Sequence, residues 1–168
     1  MECHGLDTEN QVFFYEQDYY VLSNFSAFAV VTKHGDFPTS EHAYHYEKFL
    51  TKLLDHELPG GTRFKLLDMV RNARSAHDAF KIAEQFKSYR REDWDAVKVG
   101  IMERILRHKV EQHEYVKRKL IATGKRQLIE NSWRDNFWGW GPNRDGRNML
   151  GKIWMKIRDE IKDDNNSL

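Results

Sequence analysis

The sequence predicts a mainly α (α+β) fold: a single compact helical domain with a small β element near its N-terminus. Three observations carry that prediction. Aromatic and β-branched residues crowd the stretch from Gln11 to Val31, as short strands require. From Ser40 onward, apolar residues recur at three- and four-residue intervals, the pattern of helices with one buried face. Glycine and proline punctuate the helical stretches, and no internal repeat or Pro/Ser-rich linker divides the chain. Its 168 residues suffice for one real core and are few for two. Residues 1–10 read as an N-terminal tail, 11–162 as the domain, and 163–168 as a polar, disordered tail.

Taken in order, Val12–Tyr15, Tyr19–Leu22 and Phe28–Val31 read as short strands, with a hairpin-like turn at His34-Gly35-Asp36. Pro38 precedes Thr39 and Ser40, either of which can cap a helix that continues to about Leu54. Pro59-Gly60-Gly61 breaks it, and weaker helical segments follow at Phe64–Arg71 and Ala76–Phe86. The longest periodic stretch, Asp93–Leu120, carries Trp94, Val97, Ile101 and Ile105 on one stripe. Thr123-Gly124 ends it, Gln127–Asn131 is a short connecting segment, and Met149–Ile161 forms the last helix.

Composition excludes several classes. Apolar content of 40 % and charged content of 32 % describe a globular chain, neither fibrous nor disordered. A net charge of +1 argues against a strongly cationic nucleic-acid clamp, though it leaves room for a local basic patch. The lone Cys3 permits no internal disulfide and no cysteine-based zinc site. Absence of an apolar leader or an 18-residue apolar run predicts a cytoplasmic protein with no membrane partner. His42 and His45 are three apart where a zinc helix needs four, so neither a metal nor any other cofactor is expected.

Three stretches could carry chemistry. The first is FPTSEHAYHYEKF, Phe37–Phe49, where Glu41, His45 and Lys48 fall along one helical face. Such a face is ordinarily a solvated ion-pair stripe. Glu41, however, lies in the first turn, where free backbone N–H groups attract anions. The second is SWRDNFWGWGPNRDGRNMLG, Ser132–Gly151, whose tryptophans must be packed or line a ligand. Its Gly139, Gly141 and Gly146 would admit a close phosphate, although it is no P-loop. The third is the basic run Lys87-Ser88-Tyr89-Arg90-Arg91 ahead of Trp94, a phosphate holder or a solvated lead-in.

These segments, together with LSNFSAF (Leu22–Phe28) and REDWDAVKVGIMERILRHKVEQH (Arg91–His113), resemble the NADAR family of YbiA-like proteins from about Phe13 to Ile161. The resemblance implies a domain that cleaves N-ribosyl bonds in nucleotide-like compounds. Two substrates are implied: phosphorylated ribosylamino-pyrimidine intermediates of riboflavin synthesis, or ADP-ribosylated guanine in nucleic acid, including DNA. It also implies Glu41 and Lys48 as the catalytic pair, with Asp135 third. Asn24, Phe25 and Trp138 are expected to hold sugar or base, and Ser40 and His42 a phosphate. Tyr44, Arg90, Trp94, Gly139 and Asn148 complete the expected binding surface. Where family members carry Gly-Arg, this chain has Ala83-Glu84, so Lys81, Lys87 or Arg90 must replace that arginine, or the substrate differs. A positioned carboxylate suits the positive charge that develops on the sugar, and a lysine kept partly neutral by burial could instead capture an opened ribose as a Schiff base. The chain is expected to be a monomer, and the competing class is a module that binds ADP-ribose or NAD without cleaving it.

Overall fold

The computed structural model describes residues 5–15, 17–50 and 62–166. In chain order its elements are β1 (Gln11–Phe13), a 3-10 turn (Gln17–Leu22), β2 (Val30–Thr32), β3 (Gly35–Phe37), α1 (Ser40–Phe49), α2 (Thr62–Arg71), α3 (Ala76–Gln85), a 3-10 turn (Lys87–Tyr89), α4 (Trp94–Gln112), α5 (Glu114–Ala122), β4 (Gln127–Ile129) and α6 (Met149–Asn166). The mainly helical α+β expectation is met. Contacts divide the chain into two compact units: Met1–Ser26 with Val110–Leu168, and Ala27–Lys109.

In the first unit, β1 pairs in parallel with β4, Val12 opposite Leu128 and Phe13 opposite Ile129. Val12 and Leu128 are fully buried. The expected strand at Tyr19–Leu22 is instead part of the 3-10 turn, which begins at Gln17 with φ +62°. Its aromatic residues serve packing and polar contacts that any short element could offer: Tyr19 Oη accepts from Arg126 Nη2 at 2.8 Å. The Leu22 carbonyl accepts from Trp154 Nε1 at 2.9 Å. Helix α6 buries Leu150, Ile153, Trp154 and Ile157, spaced three, one and three apart on one face. Each aliphatic side chain buried there is worth about 1.5–3 kcal/mol relative to exposure.

Helix α6 runs to Asn166, past its expected end at Ile161. Polar staples hold its second half. Buried Arg158 donates to Thr123 Oγ1 and to the Arg126 carbonyl, each at 2.8 Å, and Lys162 Nζ donates to the Gly124 carbonyl. The expected single helix Asp93–Leu120 is two, broken at His113 (φ −129°, ψ 99°). The reason is angular. Val116 follows Val110 by six positions, which on one straight helix would set them about 120° apart around the axis. The extended His113 re-aims α5 so that Val116 and Leu120 are fully buried.

The second unit opens with an antiparallel hairpin in which Val30 faces Phe37 and Thr32 faces Gly35. Gly35 has φ +106°, a conformation that only glycine adopts readily. Helix α1 follows. Thr39, not Ser40, is its N-cap, the Oγ1 accepting from the His42 N–H at 3.3 Å. The helix ends at Phe49 because Leu50 is extended (φ −72°, ψ 129°), short of the expected Leu54. The predicted break at Pro59–Gly61 lies outside the described residues. Phe49, Leu66, Leu67, Val70, Ala79 and Ala83 form a core where α1, α2 and α3 meet. Ser75 caps α3, its Oγ accepting from the Asp78 N–H at 3.1 Å. Among the described residues, no helix is long and apolar enough to cross a membrane.

Candidate active site

Helix α1 is buried along most of its length, unlike a solvated ion-pair stripe: Ser40, Glu41, His42, Ala43, Tyr44 and His45 are all inside. The helical period therefore delivers a carboxylate and an imidazole into the interior, one turn apart. They meet. His45 Nε2 lies 2.6 Å from Glu41 Oε1, with the Glu41 side chain 10 % exposed and the His45 side chain 2 %. Burial holds the His45 imidazole below the ordinary histidine range, against the opposing pull of Glu41. A neutral ring then donates Nε2–H to the carboxylate.

One turn further, Lys48 is half-buried, its Nζ 5.1 Å from the Tyr44 ring and 5.8 Å from the Trp94 ring. Those rings pack on each other, centroids 5.0 Å apart, and are almost wholly buried. Tyr44 and Trp94 thus form a wall that attracts the ammonium. Lys48 also lines a cavity of about 500 Å³ with Glu84, Lys87, Ser88 and Arg90. Arg90 is held at that rim by Asp95, 3.2 Å away. Of the three replacements considered for the family arginine, Lys87 and Arg90 line this cavity and Lys81 does not.

Of the two expected phosphate contacts, His42 is engaged within the fold and Ser40 is buried. His42 Nε2 lies 3.0 Å from the Ala73 carbonyl, which can only accept, so that nitrogen carries the proton. Its Nδ1 then accepts from Thr39 Oγ1 at 2.8 Å. Both ring nitrogens serve the fold, tying α1 to the loop after α2. Ser40 is fully buried, and its Oγ meets no partner among the described residues.

Asn24, Phe25, Asp135, Trp138, Gly139 and Asn148 belong to the first unit. Asn24 is buried in a turn that Ser26 Oγ closes on the Ser23 carbonyl at 2.8 Å, while Phe25 is 39 % exposed. Asp135 Oδ1 accepts from the N–H groups of Phe137 and Trp138 at 2.8 and 2.7 Å, so this carboxylate sets the turn of the aromatic loop. The Trp138 ring stands edge-on to Phe137, centroids 4.9 Å apart. Asn148, at φ +49°, is engaged with the backbone: its Oδ1 accepts from the Glu130 N–H and its Nδ2 donates to the Leu128 carbonyl. It fastens the loop to β4. Gly139 likewise makes its close approach to the protein itself, since a Cβ there would lie 2.8 Å from the Glu130 carbonyl.

Sequence reasoning set His45 on the Glu41 face without giving it a role, and did not bring Glu84 to the site. The signal for His45 was available in its i, i+4 spacing from Glu41. Glu84 is brought to the cavity by α3, a tertiary placement that no local spacing reveals.

The chain is similar in sequence and fold to known proteins. The NADAR domain profile matches residues 13–162, so the chain belongs to the NADAR domain family. The N-glycosidase YbiA of Escherichia coli (strain K12) is 31 % identical over 144 residues, covering 86 % of this chain and 82 % of that protein. An N-glycosidase of Nostoc punctiforme is 32 % identical over 153 residues, covering 90 % and 92 %. A riboflavin biosynthesis protein of Vibrio vulnificus is 32 % identical over 157 residues, but this chain spans only 40 % of its length. The NMR structure of Escherichia coli YbiA superposes with a TM-score of 0.79 at 28 % identity, over 97 % of this chain and 91 % of that one. The chain is an enzyme of the N-glycosidase class.

Proposed function

We propose that this N-glycosidase hydrolyses the C1–N bond of a phosphorylated N-ribosyl compound of mononucleotide size, and that α1 supplies the reacting side chains. One observation carries the reading: Lys48 shares its helix with the buried Glu41–His45 pair and lines a cavity whose rim holds Lys87 and Arg90. At about 500 Å³ the cavity is within the range of small-ligand sites. Three cations around one carboxylate, Glu84, favour a phosphorylated ligand. A ribosylamino-pyrimidine phosphate has this size and charge. The relatives named for N-glycosidase action and for riboflavin biosynthesis point the same way.

In this reading, positive charge develops on the ribose as the C1–N bond breaks, and the Glu41 carboxylate stabilises it. Water adds to C1, Glu41 accepts its proton and passes it to the departing base or amine nitrogen, which regenerates the carboxylate. Lys48 holds the phosphate or the leaving group as an ammonium, a form that its two neighbouring rings attract. This route needs no Schiff base.

The test incubates the protein with two substrates and identifies products by mass spectrometry. Release of ribose 5-phosphate from the ribosylamino-pyrimidine phosphate is expected. Release of ADP-ribose from an oligonucleotide bearing ADP-ribosylated guanine, with no action on the first, would replace the substrate assignment. Binding without release from either would remove the hydrolytic reading. Borohydride added during turnover should leave Lys48 unmodified; a reduced adduct there would restore the Schiff-base route.

A further inference from the structure

The nitrogen of His45 that faces away from Glu41 is the most informative atom in this helix. His45 is 2 % exposed, its ring packed edge-on against Tyr44 (5.3 Å) and Phe80 (5.9 Å). Nδ1 is buried and meets no hydrogen-bond partner among the described residues. A buried N–H without an acceptor is costlier than an unshared lone pair, so the ring carries its proton on Nε2, toward Glu41. With Nδ1 buried and no second partner for it among the described residues, the ring shows no onward path for a proton there. A histidine so placed holds its neighbour without relaying protons.

We infer that His45 is the positioning residue of Glu41: its Nε2–H fixes the buried carboxylate in one rotamer. This rests on the assignment of Glu41 to the reaction. The 2.6 Å contact is that of a strong charge-assisted hydrogen bond. The charges that act most strongly on the ring among the described residues are Glu41 and Lys48 from α1 and Glu84 from α3. Burial outweighs their combined pull and keeps the ring neutral. A second ionised group beside Glu41 would partly neutralise the very charge the sugar needs, whereas a neutral donor orients it without cancelling it.

Glutamine at 45 can present an N–H at similar reach, and leucine presents the bulk without the donor. The experiment therefore compares His45→Gln and His45→Leu with the wild type by two readouts. The first is steady-state kinetics. In His45→Leu, kcat should fall about 100-fold with KM within about threefold, because the carboxylate is no longer held in one rotamer. His45→Gln should restore kcat to within about fivefold. The second readout needs no substrate: NMR side-chain couplings follow the Glu41 χ angles, which should average over rotamers in His45→Leu and stay fixed in His45→Gln. A fixed Glu41 rotamer in both variants, or equal loss of kcat in both, would overturn the positioning role. If the rotamer averages in His45→Leu while no ribosyl substrate is turned over by any form, the positioning role stands and the reaction assignment fails. Should His45→Leu not fold, His45→Phe takes its place in both readouts.

Discussion

Two stretches of this chain are dense in polar and aromatic groups, helix α1 and the loop from Asn131 to Asn148, and they use them differently. In the loop the side chains bind backbone: Asp135 accepts two N–H groups and Asn148 clamps Glu130 and Leu128. In α1 the buried carboxylate binds another side chain, His45, and leaves the helix backbone to its own ladder. A polar group committed to the backbone builds the fold. A buried polar group held by another side chain, on a helix that further along lines a cavity, remains available for chemistry.

Substitutions can break that contrast. Glu41→Gln should lower kcat about 1000-fold, roughly 4 kcal/mol of barrier, while the melting temperature hardly moves. Steady-state kinetics beside a thermal melt decides it. Asn148→Ala should do the opposite: loss of two buried hydrogen bonds costs roughly 2–3 kcal/mol of stability, read by urea denaturation, while the folded fraction keeps its kcat.

A pH experiment sharpens the account of α1. The His45 pKa is depressed in the folded protein, so between that value and 6.5 the unfolded chain binds more protons. Its contribution is therefore intact above pH 6.5 and is lost as pH falls, with a slope of at most about 1.4 kcal/mol per pH unit. His45→Gln should flatten that part of the stability curve; urea midpoints at about pH 7.5 and about pH 5.5 would show it. The smallest effect belongs to Asp135→Asn. Asparagine accepts the same two N–H groups, so stability should stay within about 0.5 kcal/mol and kcat within about threefold. A thousandfold loss of kcat there would move the chemistry into the loop.

Much of this was legible in the chain itself. The Thr39 cap, the apolar stripe of α6 and the face shared by Glu41, His45 and Lys48 are local, because helical period and capping act over one or two turns. What stayed hidden depends on distant partners. The parallel pairing of Val12 with Leu128 joins residues from opposite ends of the chain, and no local pattern announces it. The break at His113 has neither proline nor glycine to mark it, and follows from where Val116 and Leu120 must point. His42 and Asn148 carry side chains suited to ligands, and only the positions of Ala73, Glu130 and Leu128 show that the fold uses them.

The most direct test of α1 as the reactive helix is a single-turnover assay on the ribosylamino-pyrimidine phosphate, comparing wild type with Glu41→Gln at matched folded concentration. Rapid release of ribose 5-phosphate by the wild type and none above background by the variant is the predicted result. Equal rates in the two would contradict it and remove Glu41 from the reaction.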